Sequence, residues 1–359
     1  MRTPAPAAAH RLSLTAGVVS AVVLLCLLVA SPAHARPPVD PHENEDTALP
    51  LLRDAAAAAR ARSYSGVQFV TTWGRGQSST SLVDISHTPG QGSVLTLPAT
   101  GNRPGGRVHT GSGGGTVNGV MAAPSEAMLG ILAVNYRVAQ AGSGTVCGRE
   151  ARIVEVLRTN GTPAARFWID SDSHLVLRRE IIDARGRITH ASAFIDLRVN
   201  PPGPASATAA GASAPGPLRP EALESVRARG WRFPGTLPGR LELFLAKDGS
   251  SAEGRYLHLG YSDGLSVVSV FVQPGSLDTA KLTGWREQRQ GGHSVWVRDT
   301  PQQETVWESG GHVYTLLADA PADTVEGAIG ALPHVDRPSL WDRLRRGLEK
   351  VVSWVNPFG

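Results

Sequence analysis

Cysteine is almost missing from this chain: its 359 residues hold two, Cys26 and Cys147. Cys26 falls in the leader described below, so one thiol remains, which excludes an internal disulfide framework and a zinc site built on cysteine pairs. Cys147, between Val146 and Gly148 at the start of an expected strand, reads as a small buried apolar residue rather than a reactive thiol. Charge is sparse too: charged residues make up 18% and the formal net charge is +4. That is too little for a surface that must neutralise a run of phosphates, so no nucleic-acid partner is expected. His-Glu-x-x-His does not occur, no carboxylates pair at an interpretable spacing, and the one Gly-x-Ser-x-Gly, Gly260 to Gly264, contains a plain Asp-Gly turn taken up below. Metal-dependent hydrolysis is therefore left without a motif, and serine-dependent hydrolysis rests on that one stretch. The glycine-rich stretch Gly101 to Gly119 has no Lys-Ser or Lys-Thr behind it, and Thr116 stands where a dinucleotide fingerprint needs its last glycine. It reads as a flexible surface loop, and no cofactor or metal is expected.

Long apolar runs are equally scarce. One occurs, Leu12 to Ala30, behind a basic start with Arg2 and Arg11 and ahead of Ala33-His34-Ala35. This is the order of an export signal with a small-x-small cleavage site. Residues 1–35 are accordingly read as a signal peptide, and cleavage takes the formal charge from +4 to +2. An uncleaved anchor is the alternative, since 19 residues just span a bilayer. A lipid anchor is not expected, because Leu25 precedes Cys26.

What the chain has in quantity is glycine and proline, 40 and 26 residues, which points to many turns and short strands. Asp46 to Ser63 reads as a helix, with Leu49, Leu51, Leu52 and an alanine run set against Arg53, Arg60 and Arg62. Tyr64 to Trp73 alternates as a strand. Four further strand-like runs, "ARIVEVLR", "AARFWID", "HLVLRREIID" and "RITHASAFIDLRV", are separated by Asn160-Gly161, Ser171-Asp172-Ser173 and Arg185-Gly186, which makes a meander. In the last run Ala191, Ala193, Ile195, Leu197 and Val199 share one expected face. Residues 200–217 are Pro, Ala, Gly and Ser without apolar pattern, a flexible linker. Behind it come a short helix at Pro220 to Arg229, six strand-like runs between Leu241 and Ala318, and a closing helix at Pro321 to Leu332.

These pieces in this order carry a resemblance. Tyr64-Ser65-Gly66 opening a strand behind an amphipathic helix, Gly148-Arg149-Glu150-Ala151, "FWIDSDSHLVLRREIID" and "AFIDL" resemble the N-terminal domain of the RseB/MucB family. "YSDGLSVVSVFVQP", Gly-His-Ser-Val-Trp-Val and "HVYTLLADAPADTVEGAIGAL" look like its smaller C-terminal domain. The resemblance runs over most of Leu49 to Leu332; the Gly101 to Gly119 loop, the long linker and the tail after Leu332 depart from it. It implies an α+β chain: a large antiparallel half-barrel similar to the lipoprotein carriers at 40–199, and a smaller α+β domain at 218–334. It also implies the family's role. Members bind the extracytoplasmic part of a membrane anti-sigma factor, shield it from proteolysis and so restrain an envelope-stress sigma factor; lipid sensing goes with the same barrel. A lipid or lipoprotein carrier of the cell envelope is the alternative reading.

On this reading the activity is binding, not catalysis. His258, Ser262 and Asp263 are the raw list of a hydrolase triad, but Asp263-Gly264 is fully explained as the turn between two strands. Expected partner contacts are Tyr64 and Trp73 on the large domain and Tyr261 and Asp263 on the small one. An apolar cavity in the large domain is expected to be lined by Val67, Phe69, Ala191, Ala193, Ile195 and Leu197. The tail 335–359 reads as an amphipathic helix. At about 100° per residue Leu340, Trp341, Leu344, Leu348, Val351, Val352 and Val355 fall on one side, with Trp354 at its edge and Arg345, Arg346 and Glu349 opposite. Such a helix suits a membrane surface or docking on its own small domain.

Overall fold

The computed structural model describes residues 45–73, 78–97, 106–110, 126–200, 220–251, 254–290, 293–299 and 303–334. The chain divides into two units, Met1–Asp40 and Pro41–Gly359, and every described residue lies in the second. The expected signal peptide 1–35, the expected linker residues 201–217 and the tail from 335 onward lie outside the described residues.

Two antiparallel sheets organise the second unit. The first takes β1 (Ser63–Trp73), β2 (Ser78–Thr88), β3 (Gly92–Leu97), β4 (Gly106–Thr110), β5 (Arg137–Val146), β6 (Arg149–Leu157), β7 (Pro163–Asp170), β8 (Val176–Ile182) and β9 (Ile188–Asn200). Their spatial order is β4-β3-β2-β1-β9-β8-β7-β6-β5. β4 and β5 are neighbours in sequence yet stand at opposite edges, so the chain between them crosses the sheet, and helix α2 (Glu126–Asn135) lies in that crossing. Helix α1 (Glu45–Ala61) buries Ala48, Leu51, Leu52, Ala55 and Ala56, the spacing of a single helical stripe. That stripe packs with Leu129 and Leu132 of α2 on Val154, Val156, Ala165, Phe167, Ile169 and Ile181. The result is an open half-barrel with helices across one face.

The second sheet holds β10 (Thr236–Leu237), β11 (Leu241–Ser251), β12 (Gly254–Ser262), β13 (Val267–Pro274), β14 (Arg286–Gln290), β15 (His293–Asp299), β16 (Gln303–Ser309) and β17 (His312–Asp319), ordered β10-β11-β12-β13-β17-β16-β15-β14. Helices α3 (Pro220–Ala228) and α4 (Ala322–Ala331) supply Val226, Val325, Ala328 and Ile329 to a core with Tyr261, Val268, Val270, Trp307 and Leu316.

Three expectations are corrected. Part of the Gly101 to Gly119 stretch is a strand, β4, which pairs with β3. Cys147 is not in a strand but in the β5–β6 turn, at φ +45°, half-buried against the core beneath β1 to β3. The even alternation of β9 is broken: Asp196 pairs with Val67 and Phe194 with Gln68, which leaves Ile195 as an extra residue in a bulge. This bulge also accounts for Gly66, because a Cβ there would lie 2.2 Å from the Asp196 carbonyl oxygen.

Candidate functional site

The turn between β12 and β13 is a plug. Asp263 Oδ1 accepts the backbone N–H of Leu265 at 2.9 Å and of Ser266 at 2.6 Å, and Ser262 Oγ accepts that of Gly264 at 2.9 Å, so three side-chain bonds fix its shape. Gly264 takes φ +100°, and a Cβ on it would sit 2.4 Å from Leu132 Cα of α2. Only glycine fits that approach. Leu265 enters the apolar cluster of the first sheet beside α1 and α2 and is 3% exposed. Around it, Tyr136 donates its hydroxyl to Asp263 Oδ2 at 2.7 Å, and Asn135 Nδ2 donates to the Asp263 carbonyl at 3.1 Å. Arg240 returns a bond to the Asn135 carbonyl at 3.0 Å.

A second contact joins the sheets through charge. Arg179 of β8 donates to Asp319 Oδ2 of β17 at 2.9 Å and to the Leu265 carbonyl at 2.7 Å. His190 of β9 places Nδ1 3.2 Å from Asp319 Oδ1. The His190 and Asp319 side chains are 6% and 3% exposed. Burial alone would raise the Asp319 carboxyl, but His190 and Arg179 beside it bring it below the ordinary carboxylate value. Burial lowers His190, and Arg179 adds to that against the pull of Asp319. The imidazole is therefore neutral at pH 7 and donates from Nδ1, while its buried Nε2 has no partner among the described residues. Chemically this cluster orders and holds. It presents no activated nucleophile, and Ser262 Oγ is occupied with the Ser266 carbonyl at 2.7 Å.

The structure gives the expected contact residues different surroundings. Tyr261 is fully buried and donates to the Pro234 carbonyl at 2.9 Å, and Asp263 is enclosed in the joint at 6% exposure. Both are internal supports, because residues so enclosed offer no side chain to a partner while the sheets stay joined. Tyr64 is also buried, stacked on His87 at 5.1 Å and edge-on to Phe194 at 6.4 Å, and burial pushes its hydroxyl up to about 12. Trp73, 37% exposed at the end of β1, is the member of the set that reaches solvent.

The expected cavity lining is divided between two faces. Cross-strand partners share a face, so Leu82, Phe69, Ala193, Arg178, Trp168 and Ile153 form one row. Val67 and Ala191 lie on the same side. Val154 and Phe167, which pack under the helices, lie on the other. The bulge then returns Leu197 to the side of Phe194 and leaves Ile195 49% exposed. These six residues do not line one space. The tail residues Leu340 to Val355 lie outside the described residues.

Sequence reading did not single out Asn135, Tyr136, Arg179, His190 or Asp319. Arg179 and Asp319 stand 140 positions apart, and no local pattern marks a charge whose partner comes from another sheet. Alternation did hold one clue. Arg179 follows Leu177 and precedes Ile181 on a side that is otherwise apolar, and a charge there needs a buried partner.

Fold and joint together define an α+β protein of two open sheets, a helix-covered half-barrel and a second, smaller sheet, locked by a buried polar joint. Residues 112–217 match the MucB/RseB N-terminal domain family. That span includes α2, β5 to β9 and the first-sheet half of the joint. No curated protein matches the chain. Among solved structures it is similar to MucB, with 20% identity and a TM-score of 0.48 over 79% of this chain and 97% of that one. The MucA/MucB complex from Pseudomonas aeruginosa matches at 20% identity and a TM-score of 0.41, over 79% and 96%. A lipoprotein-sorting protein domain from Vibrio parahaemolyticus matches at 13% and 0.21, over 44% and 93%.

Proposed function

We propose that this chain is an exported binding protein that holds the extracytoplasmic segment of a membrane anti-sigma factor, shields it from proteolysis and so restrains an envelope-stress sigma factor. The observation that carries this reading is the MucB/RseB N-terminal domain at 112–217. The leader at 1–35 supports export. In this reading the half-barrel domain 40–199 and the small domain 218–334, tethered by 200–217, bind as one body because the joint fixes their relation. Trp73 is a contact, and the tail 335–359 keeps the protein at the membrane surface. Binding is the activity, with no catalytic step.

The test is recovery of the partner from detergent-solubilised membranes of the source cells with the full-length protein as bait. The expected result is one membrane protein with a single span, encoded beside a sigma factor. Recovery of lipid or lipoprotein alone contradicts the proposal and selects the carrier instead.

A further inference from the structure

The end of α3 opens a cleft that the joint does not use. Its volume is about 330 Å³, and Arg227, Gly230, Trp231, Arg232 and Phe233 line it. Helix α3 stops at Ala228, and its last carbonyls are answered from within the turn, Val226 by Arg229 N–H at 3.2 Å and Arg227 by Gly230 N–H at 2.9 Å. The negative end of the helix is thereby capped, and the cleft is left to side chains.

Those side chains are unbalanced in charge. Arg227 meets Glu224 at 3.0 Å, and both stand in solvent on the same helix. Arg229 and Arg255 share one carboxylate, Asp248, at 2.7 and 3.8 Å. Arg232 has no ion-pair partner among the described residues. Four guanidinium groups near the end of α3 thus meet two carboxylates, and two of them, Arg227 and Arg232, line the cleft. Aromatic rings hold two of the four in place, Arg227 5.3 Å over Phe233 and Arg255 5.8 Å over Trp231. One further observation bears on the cleft: the indole Nε1 of Trp231, one of its lining residues, is enclosed and has no acceptor among the described residues, so an arriving oxygen meets it once the ring or a neighbouring side chain shifts. A buried donor left unmatched is destabilising, and an arriving oxygen removes that cost.

We propose that this cleft receives an acidic peptide segment, one carboxylate of which accepts from the Trp231 indole N–H and from the guanidinium forks of Arg227 and Arg232. Planar guanidinium groups match a carboxylate in two-point fashion. At roughly 30 Å³ per displaced water, the cleft has room for one or two side chains. The large apolar side chains exposed among the described residues, Trp73, Leu82, Val134, Ile188 and Ile195, all belong to the first sheet and its helices. The cleft thus lacks the protruding apolar rim that would set it in a lipid layer. The proposal rests on the reading of the chain as a binder of an exported protein segment, and adds where an acidic stretch of that segment sits.

The test uses full-length protein labelled at the tryptophan indole, with the Trp231 signal assigned from Trp231→Phe. The probes are acetyl-Asp-Glu-Asp-Glu-amide, its Asn/Gln counterpart and phosphatidylglycerol vesicles. The acidic peptide is expected to shift the Trp231 signal saturably, the neutral one to leave it in place, and R227E/R232E, both exposed positions, to weaken binding at least tenfold. Calorimetry with the same peptides gives the answer without replacing Trp231. No binding of the acidic peptide, equal binding of the neutral one, undiminished binding by R227E/R232E, or a response to vesicles alone overturns the proposal. If the membrane partner binds R227E/R232E normally while the acidic peptide fails, the cleft is wrong and the proposed function stands. If the peptide binds as expected and no membrane partner is recovered, the cleft stands and the proposed function falls.

Discussion

At the scale of single residues the joint depends on one missing side chain and one buried charge. Gly264→Ala must abandon φ +100° or displace Leu132, and either breaks the plug. The expected loss is about 2–4 kcal/mol, from a conformation that L side chains avoid together with overpacking, measured by urea unfolding. Asp319→Ala leaves Arg179, whose side chain is 15% exposed, without its counter-charge, and the expected loss is about 3–5 kcal/mol. A loss below about 1 kcal/mol in either variant, the level of an ordinary surface change, would show that the joint carries little of the fold. Sequence alone showed Asp263-Gly264 to be a turn, and β12 and β13 do flank it. It could not show that Leu132 lies against that turn, because the contact is long-range and glycine has the same local signature in an open turn as in a crowded one.

Elements were more legible than contacts. The strands of the meander and of the second sheet carry β-branched residues between Gly, Asn and Asp turns, and these local rules were enough to place β6 to β9 and β11 to β13. Missed were β2 to β5, β10, β14 and α2. β2 alternates serine and threonine with few apolar residues, and its neighbours rather than its own pattern hold it in the sheet. α2 is apolar on nearly every side, so no stripe marks it as helical. The β9 bulge was invisible because Ile195 looks like one more member of an alternating run. Deleting Ile195 removes the extra residue and leaves Asp196 opposite Val67, Leu197 opposite Gly66 and Val199 opposite Tyr64, so Leu197 and Val199 keep the side they now share with Phe194. The deletion is therefore expected to move Tm by about 4 °C or less, the scale of 1 kcal/mol in a chain of this size. Ile195→Thr, at a half-exposed position, is expected to change stability by about 0.5 kcal/mol or less. A fall in Tm of roughly 10 °C or more in the deletion, with the substitution neutral, would mean that the extra residue itself holds Leu197 and Val199 in the core.

For the whole molecule, the buried histidines set the direction of the pH dependence. Burial lowers His190 and His87, and burial with Lys247 nearby lowers His258 to about 4. Unfolded histidines take up a proton near 6.5 while these three resist it in the folded state. The unfolded chain therefore binds more protons as pH falls below 6.5, and stability declines on that side. Asp319 acts later. Its carboxyl is held below the ordinary value of 3.8, so its contribution is intact above that pH and disappears as pH falls through its folded value. Thermal stability is expected to decrease from pH 7 to pH 5, and His190→Asn, which keeps a donor toward Asp319, is expected to flatten the decrease. An unchanged slope in His190→Asn would remove the joint from this response.

The central claim is that the two sheets bind their partner as one body because the joint locks them. Calorimetric titration of the partner's exported segment into the full-length protein and into Gly264→Ala tests it most directly, with circular dichroism verifying that the strands of the variant persist at the temperature used. At least a tenfold loss of affinity with the strands intact is the expected result; equal affinity in the two proteins would contradict it.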